Sequence, residues 1–339
     1  VNIKGGVWRS AAALGVPGVL RLAKRGATIL CYHGVERSIR DPRVQRLQTP
    51  LGLFEKQVGY LKRNFDLVSL DELRESIVRG RPKPGQVALT FDDGYRNNLT
   101  IAAPLLHALR IPFAVFVSTY YTGTDERLPG YYLRTALFRS PARRLEALGI
   151  HFELSGEESR EAARVALWRV LKTAPRKQVE TLVKEVVAQI PEGFWEDAGN
   201  MFRSEKLMSW EDLAALRGLG ATIGSHCHHH AILHRNQAAG EAAFQLRRSK
   251  QVLEAAFGEC RYFAYPNGTA PDVSPESQLE LERNGYELAL TTVPGEVESD
   301  ARPLLLPRVA AHPDFDAFRV VVNAAFLNRR RYAQWTTTV

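Results

Sequence analysis

Short apolar runs rich in β-branched and aromatic residues recur along the chain, separated by helix-length stretches in which apolar positions return with the period of a helix turn. This alternation predicts parallel strands joined by crossover helices. Seven strands are expected, at Thr28 to His33, Val87 to Phe91, Phe113 to Ser118, Ala221 to Ser225, Tyr262 to Tyr265, Glu287 to Thr291 and Leu304 to Val309. Helices are expected at Leu53 to Asn64, Asn98 to Arg110, Trp210 to Leu219, Glu241 to Phe257 and Ser277 to Asn284, several of them closed by glycine or followed by proline. The predicted fold class is α/β, an incomplete (β/α)7 barrel of parallel strands.

The connection from Tyr120 to Leu207, between the third and fourth strands, is far longer than a strand-to-helix loop requires. It must carry structure of its own, and a helical insertion over residues 121–205 is expected. Within it, Val179, Leu182, Val183, Val186, Val187 and Ile190 share one face of an amphipathic helix opened by Thr173 and Pro175, and an earlier helix is expected over Arg160 to Lys172. An insertion that leaves the C-terminal end of a barrel strand emerges on the face where such barrels carry their sites. It serves there either as a substrate lid or as a packing subdomain.

The barrel is assigned residues 28–339, preceded by a basic amphipathic segment over 1–27. Val7, Trp8, Ala11 to Leu14, Val19, Leu20 and Leu22 supply apolar area there, and Arg9, Arg21, Lys24 and Arg25 supply charge suited to anionic headgroups. Peripheral contact with an anionic membrane is one expectation for this segment; an ordinary helix packed against the barrel bottom is the other.

Composition narrows the choices. A chain of 339 residues with 45% hydrophobic and 24% charged residues can bury a core and is not a disordered one. Lys and Arg (45) exceed Asp and Glu (37) for a net charge of +8, yet the excess is spread along the chain, so no nucleic-acid partner is expected. No apolar run is long enough for a membrane-spanning helix. Cys31, Cys227 and Cys260 form no CxxC pair, which argues against a disulfide framework and for a reducing compartment. The expected location is the cytoplasm, at the inner face of the membrane if the first segment binds lipid.

Candidate chemistry is concentrated at strand ends. Asp92 and Asp93 stand together in Leu89-Thr90-Phe91-Asp92-Asp93-Gly94-Tyr95. Adjacent carboxylates repel, so the pair suits a division of labour in which one binds a cation and the other faces a reacting water. A solvated turn that caps the next helix is the plain alternative. The run Gly224-Ser225-His226-Cys227-His228-His229-His230 ends another strand. His226 and His230 converge on one ion if the chain turns helical there, and with Asp93 they make a two-histidine, one-carboxylate set for a divalent metal. His228, His229 and His234 are then spare, and Cys227 reads first as a small buried residue. His33 ends the first strand, next to the strand of the two aspartates, as a hydrogen-bonded partner or proton shuttle.

The segments Thr90-Phe91-Asp92-Asp93-Gly94-Tyr95, GSHCHHHAIL with His226 and His230, and Phe263-Ala264-Tyr265-Pro266-Asn267-Gly268 resemble, in order, the first three motifs of NodB-type polysaccharide deacetylases, the fourth carbohydrate esterase family. The early ILCYHGV, the LALTTVPG from Leu288 to Gly295 and the LLPRV from Leu305 to Val309 resemble the branch associated with exopolysaccharide and surface-glycan assembly. The resemblance implies an incomplete barrel and one divalent metal, zinc by preference with cobalt or nickel as alternatives. It also implies that Asp93, His226 and His230 are the ligands, that Asp92 is the general base, and that the Asn267 backbone N–H holds the oxyanion. The implied activity is removal of an N-acetyl group from a glycan or a lipid-linked glycan precursor.

Three positions depart from the family pattern: Cys227 replaces a Ser or Thr, Ala264 replaces the arginine that orients the base, and Asn267 replaces an aromatic residue. Arg308 is expected either to hold an anionic group of the substrate or to stand in for the missing arginine. Tyr95, which closes the first motif, joins Asn267 and Arg308 among residues expected at the substrate or oxyanion. His33 is preferred over His312 as the acid, because His312 precedes Pro313 in an expected loop. The rival function is a catalytically weak or silent carbohydrate-binding protein on the same fold.

Overall fold

The computed structural model describes residues 3–328, 332, 335 and 336. Residues 1–2, 329–331, 333–334 and 337–339, which belong to the expected N-terminal segment and barrel, lie outside the described residues. Seven strands, β1 (Thr28–Tyr32), β2 (Gln86–Phe91), β3 (Phe113–Val117), β4 (Ala221–Ser225), β5 (Tyr262–Ala264), β6 (Leu288–Leu290) and β7 (Val309–Ala310), form one sheet. Its order is β6-β5-β4-β3-β2-β1-β7 and every pair is parallel, with the short strand Asp66–Leu67 added beside the start of β2. This is the incomplete barrel.

Strand side chains alternate between two layers. Leu30, Tyr32, Leu89, Phe91, Val115 and Val117 join one apolar cluster with Phe54, Leu106, Leu213 and Leu246 of the surrounding helices. Ile29, Ala88, Ala114, Phe116, Tyr262 and Ala264 join a second. That second layer is the barrel interior, since Arg308 reaches from beside β7 across to Thr90 on β2 and to the Thr291 carbonyl beyond β6. It is tightly filled: a Cβ on Gly224 would come within 2.5 Å of the Phe116 ring. The inner file of each strand, continued past its end, reaches His33 after Cys31, Asp92 after Thr90 and His226 after Gly224. Ordinary strand alternation therefore delivers three of the candidate residues to the barrel mouth.

The last expected strand, Leu304 to Val309, is replaced by a 3-10 turn Pro303–Leu305 and the short β7. Pro303 and Pro307 cannot donate to a ladder, which breaks the run. Leu306 bridges to Leu290 while Val309 and Ala310 pair with β1, so this segment spans the gap between the two sheet edges.

The insertion is not wholly helical. It holds helices Pro129–Arg139, Glu157–Thr173, Arg176–Ala188 and Glu192–Met201, but also an antiparallel hairpin of Arg144–Ala147 with Ile150–Glu153. Leu133, Leu137, Leu145, Phe152, Leu167 and Leu182 give it a core of its own. A buried pair within it, Arg134 Nη2 to Glu205 Oε2 at 3.3 Å, is where it meets the barrel rim. Arg134 Nε also donates to the Val44 carbonyl at 2.8 Å, and Gln48 Nε2 donates to Glu205 at 3.0 Å.

Before β1, helices Ile3–Ala13 and Val16–Leu22 pack against helix Phe315–Asn323. The lipid-facing role expected of Lys24 is corrected: it is buried, ion-paired with Glu296, and donates to Thr28 Oγ1 at 2.7 Å. Arg21, half-buried, donates to Asn64 Oδ1. Val7, Leu14, Val19 and Leu22 remain exposed. Among the described residues, no helix is long and apolar enough to cross a membrane.

Candidate metal and catalytic centre

Backbone conformation singles out the barrel mouth before any chemistry is considered. Among the described residues, six non-glycine residues have positive φ: Asp93 (74°), Arg110 (56°), Leu148 (55°), Cys227 (65°), His230 (54°) and Asn267 (59°). Four of these follow β2, β4 and β5. Side chains rarely adopt this region, and its strain persists where surrounding structure over-determines it. At Asp93 the turn has a clear effect. Strand alternation would send Asp93 away from Asp92, whereas both face one cavity.

The helical turn that would let His226 and His230 converge is not the means by which they meet. Residues 226–230 form an irregular loop in which the left-handed turns at Cys227 and His230, not a helical period, bring the two imidazoles together. Their ring centroids are 5.0 Å apart. His226 Nε2 lies 3.4 Å and His230 Nε2 3.1 Å from the same oxygen, Asp93 Oδ1. His226 Nδ1 donates to the Ala264 carbonyl at 2.7 Å, which turns Nε2 toward Asp93, so that a proton or a metal cation must lie between that nitrogen and the carboxylate. Burial lowers the His226 pKa, but Asp92 and Asp93 outweigh it and the net direction is upward. Asp93 is pushed up by burial and, more strongly, down by His226 and His230, to well below the carboxylate range. The 3.1 and 3.4 Å spacings from Asp93 Oδ1 also match the edges of a coordination polyhedron with bonds of about 2.1 Å. The donor set fits a divalent metal.

Asp92 is 2% exposed. Arg308, fully buried, grips it with both ends of the guanidinium: Nη1 to Oδ1 at 2.8 Å and Nη2 to Oδ2 at 2.6 Å. Burial raises the Asp92 pKa, yet Arg308 and then His226 pull it below the usual value. The carboxyl is ionised at neutral pH. This geometry corrects the substrate-holding expectation for Arg308, whose donors are consumed inside the barrel by Thr291, Thr90 and Asp92. Arg308 is thus the cation paired with Asp92.

His33 joins Cys31 and Asp92 in a group whose donor atoms all lie within 4.8 Å of one another. Burial lowers its pKa more than Asp93 and Asp92 raise it, so the ring is neutral. His312 is turned elsewhere, its Nδ1 accepting the Asp314 N–H at 3.0 Å. Of the spare histidines, His228 bonds Thr119 Oγ1 at 2.8 Å and His229 bonds Gln245 at 3.0 Å, while His234 Nδ1 accepts the Asn236 N–H at 3.2 Å. Cys227 is buried, and burial pushes its thiol pKa well up.

The Asn267 loop is braced on both sides. Its Nδ2 donates to Asp272 at 2.6 Å and its carbonyl accepts the Thr292 hydroxyl at 2.6 Å. Asn tolerates the left-handed conformation better than an aromatic residue, which explains the departure at this position. Tyr95 is 2% exposed, and its pKa is raised first by burial and then by Glu205 and Asp93. It borders the same cavity.

That cavity holds about 480 Å³ and is bordered by His33, Asp92, Asp93, His226, His230 and Asn267. Its outer wall comes from the insertion, through Leu128, Trp168, Leu171 and Val179 with Arg164 and Arg176. Sequence reasoning missed Arg134 and Glu205, whose burial as an ion pair between distant segments leaves no local signal.

A family model described as polysaccharide deacetylase matches residues 79–289. Over 89 residues the chain is 34% identical to the poly-β-1,6-N-acetyl-D-glucosamine N-deacetylase of Escherichia coli K12, a match covering 26% of this chain and 13% of that relative's length. Similar solved structures include IcaB from Ammonifex degensii, with a TM-score of 0.55 at 19% identity over 89% of this chain and 97% of that one. The Streptococcus pyogenes deacetylase PplD, in complex with acetate, has a TM-score of 0.56 at 16% identity over 88% and 99%. At such identities the structural likeness speaks for the fold alone.

Proposed function

The chain belongs to the polysaccharide deacetylase family, and from that premise we propose that it is a metal-dependent hydrolase that removes N-acetyl groups from a glycan. Asp93, His226 and His230 would hold one divalent ion. The observation that carries this reading is the meeting of two imidazole Nε2 atoms on Asp93 Oδ1, at 3.4 and 3.1 Å, beside the clamped Asp92. When bound, the ion would polarise the acetyl carbonyl and raise the acidity of the attacking water. Zinc suits an open site of this donor set, and cobalt or nickel fits the same atoms.

The chain's own residues then divide the proton work. Asp92 takes the proton of the attacking water on Oδ1, which keeps a lone pair after Arg308 is satisfied, whereas Oδ2 also accepts from the Cys31 thiol. Arg308 keeps that carboxyl ionised and fixes its direction. His33, neutral at rest, receives a proton from the Asp92 side and hands it to the departing amine. The Asn267 N–H, held outward by the braced loop, donates to the oxygen on which charge develops.

By its name, the E. coli relative acts on poly-β-1,6-N-acetyl-D-glucosamine. An N-acetylhexosamine polymer, or a lipid-linked precursor of one, is the substrate class we infer. The rival reading, a silent carbohydrate-binding protein, draws on the loss of the base-orienting arginine at Ala264; the Arg308–Asp92 pair weighs against it. Acetate release from a panel of N-acetylated sugars, before and after chelation and with metal restored, tests the proposal. Full turnover after complete metal removal would sink it.

A further inference from the structure

The insertion and the barrel rim enclose a second cavity, of about 810 Å³, apart from the catalytic one. The two share a wall at the start of helix Pro129–Arg139. Leu128, Pro129 and Gly130 border the catalytic cavity, whereas Arg127, Tyr131 and Tyr132 border the second.

The second cavity has the features of a built site. Tyr132 and Trp195 meet edge to face, with centroids 5.5 Å apart and planes at 68°. Trp195 Nε1 donates to the Val187 carbonyl at 3.2 Å and the Tyr132 hydroxyl accepts the Arg127 N–H at 3.2 Å, so both rings are held in place. On the same wall, Arg127 and Tyr131 add a guanidinium and a phenol to the lining. The remaining lining carries both signs of charge, Glu36 and Glu196 against Arg203 and Lys206. Mixed charge selects neither an anion nor a cation. Rigid aromatic rings interleaved with such donors and acceptors suit a hydroxyl-rich ligand with apolar C–H faces, which is the chemistry of a neutral sugar.

We propose that this cavity is a glycan-binding site that holds further sugar units of the substrate chain while one unit occupies the catalytic cavity. The inference rests on the glycan substrate of the preceding section. A chain that engages both cavities makes its second contact at high effective concentration, so affinity rises with length once the shared wall is spanned.

The test is calorimetric titration of N-acetylated oligosaccharides of increasing length into wild type, Trp195→Ala and the double variant Asn200→Ala/Arg203→Ala. Asn200 and Arg203 are exposed lining residues, so the double variant leaves the aromatic packing intact. The expected result is at least about a tenfold gain in affinity from the shortest to the longest chain in wild type, and loss of most of that gain in both variants. No length dependence in wild type, or a gain unchanged in the double variant, overturns the proposal. Acetate release measured on the same sugars separates the two readings. Turnover with no length effect removes only the second site; length-dependent binding without turnover removes only the hydrolase.

Discussion

Replacing Arg308 by methionine removes the charge and keeps most of the length, so the perturbation falls on Asp92. Four hydrogen bonds disappear, to Thr291, to Thr90 and two to Asp92. Asp92 is left buried, with the Cys31 thiol at 3.4 Å as its remaining side-chain donor. Breaking a buried pair by removing one partner costs about 3–5 kcal/mol, and Arg308→Met is expected to lose that much in urea unfolding at neutral pH. Asp92→Asn should also destabilise, and the double variant should lose less than the sum of the two by about 0.5–3 kcal/mol.

The dependence on pH follows from the sign of the shift. In wild type Asp92 lies below its ordinary value, so the pair's contribution is complete above about pH 4 and fades as pH falls through the lower folded value. In Arg308→Met burial, the largest influence on Asp92, loses its main opponent and is set against His226 and His33 only, so Asp92 is expected to rise above its unfolded value. The variant should then lose stability as pH rises past about 4. The acid limb of its acetate-release profile should move to higher pH, because the base must be deprotonated to work. A loss below about 1.5 kcal/mol, half the smallest cost ordinarily seen for a buried charge left unpaired, or an unmoved acid limb, would refute the idea that Arg308 acts through Asp92.

Two further outcomes are expected. Gly224→Ala places a Cβ within 2.5 Å of the Phe116 ring and should cost about 1–3 kcal/mol in denaturant unfolding, with part of the loss recovered by Phe116→Leu. Asn267→Gly keeps both the left-handed turn at φ 59° and the backbone N–H, so kcat should stay within a few-fold of wild type, whereas Asn267→Val, which strains that turn, should lower kcat with little change in metal content.

The barrel was legible because its information is local. Alternation within the runs ending at His33, Asp92 and His226 places those residues on the inner file, and six of the seven strands stand where the apolar runs predict. The features that escaped have distant or conformational causes. The hairpin around Leu148 and Gly149 turns on two positive φ values, 55° and 72°, but Leu-Gly lacks the Asn-Gly or Asp-Gly signature of such turns. Residues 226–230 look helical by spacing, yet two left-handed residues set their geometry. Arg308 and Asp92 are 216 residues apart, and Arg134 and Glu205 are 71 apart. No periodicity joins such partners. Lys24 looked like surface charge because its partner Glu296 is equally remote in sequence.

The measurement that bears most directly on the proposed centre is metal content and acetate release, taken together, for wild type, Asp93→Ala, His226→Ala, His230→Ala and Asp92→Asn. One equivalent of divalent metal is expected in wild type and in Asp92→Asn, with strong loss from each of the other three. Turnover should fall in all four, by on the order of 10²–10⁴ for Asp92→Asn, the usual worth of a positioned general base. Stoichiometric metal in all three ligand variants, or undiminished turnover in Asp92→Asn, would contradict the account.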